Sequence, residues 1–260
     1  MRLDVACTIG FAAPFPTPVV LMLSPRSGEA QHVIGEQFVV EPFNAWHEYI
    51  DARGNRCHRL TMPVGRTLVA VRATVDTPDA IDVDMTAPRS EGDDIPDWVL
   101  EFCLASRYCQ SDLLGDRARA ITLGALPGYP QVEAIRAWIA ANIRYEYNTS
   151  SASTSAIETL ATGAGVCRDF AHLGIALCRA IDIPARMVVG YLHELDPMDQ
   201  HAWFEAFVGN RWYTFDATQA EPRGNRVAVG YGRDATDVAF VTQFGPLELT
   251  DMWVAVSATP

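Results

Sequence analysis

The sequence predicts an α+β protein in two parts, a small antiparallel β-sandwich followed by a helix-plus-sheet unit. Three observations carry that expectation. β-Branched, partly alternating runs fill roughly the first 85 residues. A polar stretch with no apolar period, Pro88 to Pro96, comes next and reads as a linker. Beyond it, apolar residues recur at helical spacing before alternation returns. The expected units are therefore 1–87 and 97–260.

Val5 to Leu23 is largely apolar, but Pro14, Pro16 and Pro18 would break a signal-peptide helix, and Asp4 sits where positive charge is expected. It reads as a strand, a Pro-rich turn and a second strand. Gln37 to Val40 and Thr67 to Val75 are further strands. Ala45 to Ile50 and Cys57 to Leu60 flank Asp51-Ala52-Arg53-Gly54-Asn55, whose Gly and Asn supply the positive φ of a hairpin turn. Short strands at this spacing suggest the sandwich.

After the linker, Val132, Ile135, Ile139 and Ile143 mark one helix, with Trp138 widening its stripe and Pro130 near its start. A second runs through Ser155 to Leu160, capped at Thr154 or Ser155, with Glu158 completing a capping box and Gly163 beyond its end. A third extends from about Val166 to Ala180 and stops before Pro184. Three β segments follow, Arg186–Leu192, Ala202–Val208 and Trp212–Phe215, the last two joined by a Gly209-Asn210 turn.

Bulk properties narrow the function classes. The net charge of −12 repels a phosphate backbone, and no run of Lys and Arg offsets it, so nucleic acid is not an expected partner. No apolar stretch of about 18 residues predicts a membrane-spanning helix. With no signal-peptide pattern either, a cytoplasmic protein is expected; the six cysteines are scattered and form no CxxC pair, which disfavours a disulfide scaffold or a structural zinc. His193-Glu194-Leu195-Asp196 and Asp199-Gln200-His201 could offer metal ligands, but a short acidic loop reads first as solvated surface. No metal and no cofactor are expected, and oligomeric state has no signal here.

Chemistry concentrates at three residues. Cys167 follows Gly163-Ala164-Gly165-Val166 and opens the third helix. Unpaired backbone N–H groups and the positive end of the helix dipole favour a thiolate there, the species that attacks carbonyls. The Cys167 N–H could serve as one oxyanion donor. Cys178, by contrast, lies mid-helix among Ala176, Leu177 and Ala180 and reads as core packing. A thiol nucleophile needs a base, and the base needs an orienting group. His201 begins the alternating run His201-Ala202-Trp203-Phe204-Glu205-Ala206-Phe207, and Asp216 ends Trp212-Tyr213-Thr214-Phe215-Asp216. Both lie at similar distances from the Gly209-Asn210 turn, so pairing brings them to one end of a ladder, where cross-strand neighbours are about 5 Å apart. Taken singly, each could be a capping or turn residue. His172 is rotated about 140° from Cys167 on the helix and faces away, while His32, His47 and His58 lie in the β half.

These residues carry a resemblance. Gly165-Val166-Cys167-Arg168-Asp169-Phe170-Ala171-His172, His201-Ala202-Trp203-Phe204-Glu205-Ala206 and Trp212-Tyr213-Thr214-Phe215-Asp216-Ala217-Thr218 resemble the motifs of the transglutaminase-like superfamily, specifically its bacterial transglutaminase-like cysteine peptidases, as does Ile183 to Tyr191 between them. The likeness covers about residues 100 to 220. It implies a papain-like, transglutaminase-like catalytic core, with Cys167 as nucleophile, His201 as base and Asp216 as its orienter. It further implies acyl transfer or hydrolysis at an amide of a protein or peptide through a thioester, without a cofactor. A second oxyanion donor upstream of the nucleophile could be Tyr145, Tyr147 or Asn148, with Tyr147 the one expected. Arg168 and Asp169 fit the pattern but read as helix-start charge and a supporting salt bridge. About forty residues follow Asp216, which leaves calcium dependence of the animal-enzyme kind unsupported. Water against amine as acceptor, a side-chain amidase or deglycosylase activity, and a non-catalytic binding protein on the same fold all stay open.

Overall fold

Alternation in the first half becomes strands that bury one face. A computed structural model describes residues 1–28 and 30–259. β1 (Arg2–Ala13) buries Leu3, Val5, Cys7, Ile9 and Phe11, every second residue. After the Pro-rich turn come β2 (Thr17–Leu21), β3 (His32–Glu41), β4 (Trp46–Ile50), β5 (Arg56–Met62) and β6 (Gly65–Asp76). The expected hairpin forms, with Tyr49 opposite Cys57, and β3 pairs with β6, Phe38 opposite Val71.

The linker region holds a 3-10 turn at Gly92–Asp94 before α1 (Asp97–Leu100). Then follow α2 (Gly115–Ile121), α3 (Tyr129–Asn142), β7 (Arg144–Tyr145), α4 (Ala156–Thr162), β8 (Ala164–Gly165) and α5 (Cys167–Arg179). Strands β9 (Ala185–Leu192), β10 (Gln200–Val208), β11 (Arg211–Phe215) and β12 (Arg226–Gly232) form an antiparallel sheet in the order β11-β10-β9-β12. This is the expected α+β, transglutaminase-like arrangement, with α5 packed on β10. Gly174 makes that packing possible, because a Cβ there would stand 2.5 Å from the Phe204 ring.

The boundary drawn at 97–260 needs correction, and its last residue, Pro260, lies outside the described residues. β13 (Val241–Gln243) pairs with β2, and β14 (Glu248–Ala258) pairs with β1 from Ala12–Glu248 to Leu3–Ala258. The sandwich is thus two four-stranded sheets, β14-β1-β6-β3 and β13-β2-β5-β4, each completed from the far end of the chain. Without these strands, β1 and β2 would present open rows of backbone N–H and C=O groups over an apolar core.

Two amide side chains join the sandwich to the β11-β10-β9-β12 sheet by acting as a strand would. Asn55 Nδ2 donates to Tyr231 O at 2.8 Å while its Oδ1 accepts from Tyr231 N at 2.9 Å. Gln31 repeats the pattern on Ala228, at 2.8 Å and 2.7 Å. The outer edge of β12 is thereby satisfied, and one continuous apolar core runs from the sandwich to α5.

Candidate active site

The loop before Cys167 is set by short-range chemistry. Gly163 ends α4 in the left-handed region at φ +68°. β8 then pairs in parallel with β7, Arg144 beside Ala164 and Tyr145 beside Gly165. The Asp169 carboxylate reaches back to accept the Val166 N–H at 2.9 Å, closing the first turn of α5. Cys167 is the first residue of that helix and is only partly buried. Its sulfur therefore sits at the positive end of a helix whose remaining length is core.

The two partners arrive on adjacent strands. Gly209 and Asn210 both take positive φ, +56° and +60°, as a two-residue hairpin turn requires. The β10–β11 ladder runs from Val208–Arg211 to Phe204–Phe215, which leaves His201 and Asp216 just past its end. There His201 Nε2 meets Asp216 Oδ2 at 2.8 Å, with both side chains buried. The Asp216 Oδ1 accepts from Thr218 N at 3.0 Å and from Thr218 Oγ1 at 2.7 Å. Arg226 Nη1 lies 2.9 Å from Asp216 Oδ2, close enough for charge attraction but off the hydrogen-bonding direction.

Electrostatics follow from this placement. Burial opposes ionisation of Asp216, but Arg226 first and then His201 outweigh it and hold the carboxyl well below its usual range. Burial likewise disfavours a charged His201. The Asp216 carboxylate overcomes that penalty, the Cys167 thiol adds to it, and the imidazole is raised to about 9. A sulfur–imidazole hydrogen bond of this kind commonly tightens only when substrate is bound. Burial first, then the neighbouring Cys167, push the Tyr145 hydroxyl far above the ordinary phenol range, and hydrogen bonding with the Cys167 backbone opposes the rise. Beside His201 opens a cleft of about 100 Å³ that Tyr145, Tyr147, Asp196, Asp199 and Gln219 help line.

Comparison with known proteins gives this geometry a context. Residues 115–217, which include Cys167, His201 and Asp216, match the model of the transglutaminase-like superfamily. A solved structure from Cytophaga hutchinsonii, described as a "putative cysteine protease", is 36% identical and superposes with a TM-score of 0.94 over 99% of this chain and 90% of its own. The chain belongs to the transglutaminase-like superfamily. An uncharacterized Mycobacterium leprae protein is 37% identical over 117 residues, 42% of each chain. An uncharacterized Mycobacterium tuberculosis protein is 33% identical over 131 residues, 44% of this chain and 42% of its own. The matched region spans less than half the length of these curated relatives. The superfamily is one of cysteine-dependent peptidases and acyltransferases, and the Cytophaga protein is similar to this chain over nearly all its length.

Within this transglutaminase-like site, the sequence-derived candidates separate cleanly. His201 and Asp216 meet beside the end of the β10–β11 ladder, and Cys167 opens the helix that packs on β10. Cys178 is buried, and that burial pushes its thiol well above the ordinary value. His172 faces away from the sulfur, stacks on Tyr108 at 5.0 Å and accepts the Ala235 N–H at 3.1 Å, while burial lowers it to about 3. Asp169 is fully buried as the helix-closing group, with Arg168 3.4 Å away. Both tyrosines line the cleft: β7 places Tyr145 beside Gly165, two residues before Cys167, and Tyr147, the expected oxyanion donor, meets Tyr145 edge-on at 5.5 Å.

Two supporting groups escaped the sequence reading. Thr218 had a local signal, since an Asp followed two residues later by Thr commonly closes a turn on its own carboxylate. Arg226 had none. It reaches Asp216 only because β12 pairs with β9, two strands away from β11.

Proposed function

We propose that this protein is a cysteine-dependent enzyme that transfers the acyl group of a protein or peptide amide through a thioester on Cys167. The observation that carries the reading is the buried 2.8 Å His201–Asp216 pair beside a cysteine that opens a helix. The Cys167 thiolate attacks the amide carbonyl carbon, forming a C–S bond as the carbonyl electron pair moves onto oxygen. The Cys167 N–H and the Tyr145 hydroxyl are the donors we assign to that oxyanion. Collapse expels the amine, which leaves with the proton of the His201 imidazolium. Neutral His201 then takes a proton from water or from an amine as it attacks the thioester, releasing an acid or a new amide and restoring the thiolate. Asp216 keeps one ring orientation throughout and stabilises the imidazolium.

The six unpaired thiols support the cytoplasmic location that belongs to this proposal. The test is carboxamidomethylation with iodoacetamide across pH, read by peptide mapping. Cys167 should react well below pH 8 while Cys178 stays silent, and His201→Ala should abolish the difference. Equal, slow reaction at both cysteines would sink the proposal. A screen of glutamine-donor, peptide and glycopeptide substrates, with and without an amine, should then trap an acyl adduct by intact mass in the wild type and none in Cys167→Ala.

A further inference from the structure

On the face of the catalytic sheet away from α5 lies a cavity of about 500 Å³ whose lining includes none of Cys167, His201 and Asp216. Strand alternation explains the placement: Phe204 turns toward Gly174 of α5, so Trp203 and Phe207 turn the other way. Trp212 of β11, Arg226 and Tyr231 of β12 and Trp98 of α1 complete its main surface. Residues 77–82 form a further wall that is anchored to the sheet, Thr77 Oγ1 donating to Arg226 O at 2.6 Å and Asn225 N donating to Pro78 O at 2.8 Å. The aromatic surface is held open by its own packing. Arg186 sits 4.2 Å from the Trp212 ring and 4.1 Å from the Tyr231 ring, ion-paired to Glu205 at 2.6 Å. Trp98 meets Phe207 edge-on at 6.0 Å.

The polar groups on this surface are unbalanced toward donors. The indole N–H groups of Trp203 and Trp212 and the Nη2 of Arg226 have no hydrogen-bond partner among the described residues, against one unpaired acceptor on the same lining, Asn225 Oδ1. Trp203 is 3% exposed and Arg226 7%, so water does not readily satisfy them. Buried donors in this state cost about 1–3 kcal/mol each and call for a specific explanation. Charge points the same way. Among the lining groups, Arg211 is paired with Asp82 and Glu205 with Arg186. Arg226, however, shares the single carboxylate of Asp216 with His201. The Nη2 of Arg226 is therefore left without a partner among the described residues, on the lining of an aromatic cavity.

We propose that this cavity binds an aryl carboxylate, its ring system lying among Trp98, Phe207 and Trp212 and its carboxylate accepting from Arg226 and the Trp203 indole. The volume lies within the range of small-ligand sites, flat rings pack well against aromatic walls, and a carboxylate suits a guanidinium with an unused amino group. Because Arg226 also holds Asp216, the bound carboxylate competes for it, and occupancy is transmitted to His201 and Cys167. This second step rests on the proposed catalytic role of the triad, whereas binding does not. The carboxylate could belong to a free aromatic acid or to the C-terminus of a peptide ending in an aromatic residue.

Calorimetric titration of the full chain separates these cases. The probes are 2-naphthoate, 2-naphthamide, and the peptide Ala-Ala-Phe as acid and as C-terminal amide. The acid 2-naphthoate should bind with a submillimolar Kd, and the neutral amide at least about tenfold more weakly. Trp98→Ala, at an exposed position, should weaken 2-naphthoate binding at least about fivefold, and Trp203→Phe, which keeps a ring and removes the N–H, severalfold. A peptide acid that binds more tightly than 2-naphthoate, with its amide weak, assigns the site to peptide C-termini; the reverse order assigns it to free acids. No binding of 2-naphthoate at millimolar concentration, equal binding of acid and amide, or an unaffected Trp98→Ala overturns the site. Saturating ligand should change the rate of Cys167 alkylation at least about twofold, and binding with an unchanged rate overturns the coupling through Arg226.

Discussion

Replacing Gly174 by Ala should damage the active site more than it damages the fold. A Cβ at this position would stand 2.5 Å from Phe204 Cε1 and 2.8 Å from Cδ1. Carbon atoms pack at about 3.5 Å or more, so helix and ring must separate by about 1 Å. Phe204 is fully buried, stacked on Phe215 at 5.6 Å, and its strand is paired on both sides. The retreat therefore falls on α5, which carries Cys167 at its start. Overpacking costs about 1–3 kcal/mol, and Ala in place of Gly within a helix returns about 1 kcal/mol. The net loss is about 0–2 kcal/mol, a fall in Tm of no more than about 8 °C for a chain of this size. Moving the sulfur about 1 Å from His201 is far more serious for chemistry. At pH 6 an ordinary thiol is on the order of 0.3% thiolate, so loss of the imidazolium neighbour should slow alkylation of Cys167 by one to two orders of magnitude. The assay is the iodoacetamide rate at pH 6 beside a thermal melt, with Phe204→Leu added to the Gly174→Ala variant to restore space and rate. A variant that reacts at the wild-type rate, or slows only in proportion to its unfolded fraction, would refute the link between this packing contact and the nucleophile.

Other expectations follow from the same geometry. Asp216→Ala leaves Arg226 and His201 as buried cations without their carboxylate, and urea denaturation should show a loss of about 3–5 kcal/mol. His201 is raised from 6.5 to about 9, so its stabilising contribution is complete below pH 6.5 and disappears as pH rises through 9. That span, at about 1.4 kcal/mol per pH unit, is roughly 3 kcal/mol; the stability gap between wild type and His201→Gln should shrink from pH 6 to pH 9.5, and a widening gap contradicts the sign. Tyr145→Phe should lower acyl-adduct formation by about 10²-fold or more while Tyr147→Phe changes it little, and the opposite ranking would return the role to Tyr147. Truncation after Phe240 removes β13 and β14 and should yield a chain that binds a hydrophobic dye and melts without a cooperative transition, whereas a sharp melt would show that the sandwich closes without them.

The legible parts of this protein are those governed by neighbours in sequence. Gly163 after α4, Asp169 two residues beyond Cys167 and the Gly209-Asn210 turn each act over a few residues, and each did locally what its chemistry requires. The positions of Cys167, His201 and Asp216 could be read because a helix start and a two-residue hairpin convert spacing directly into geometry. Tyr145 and Tyr147 illustrate where this stops. They are two phenols two residues apart upstream of Cys167, so local pattern does not separate them, whereas the pairing of β7 with β8 sets Tyr145 beside Gly165 and leaves Tyr147 in the turn that follows.

Strand partners at long range were the larger gap. Alternation tells which face of a strand is apolar but not which strand it joins, and β1 with β14 come from opposite ends of the chain. Nothing between them in sequence records the choice; it is made by backbone groups that must be satisfied over a shared core. Arg226 beside Asp216 and the cavity behind the sheet have the same origin, since both depend on β12 lying next to β9. By itself, then, the sequence determined the α+β class and a thiol, an imidazole and a carboxylate at spacings fit to meet. Tertiary structure alone decided how deeply they are buried, which cation balances Asp216 and which tyrosine pairs beside Gly165, because each of those depends on contacts between segments that no local propensity couples.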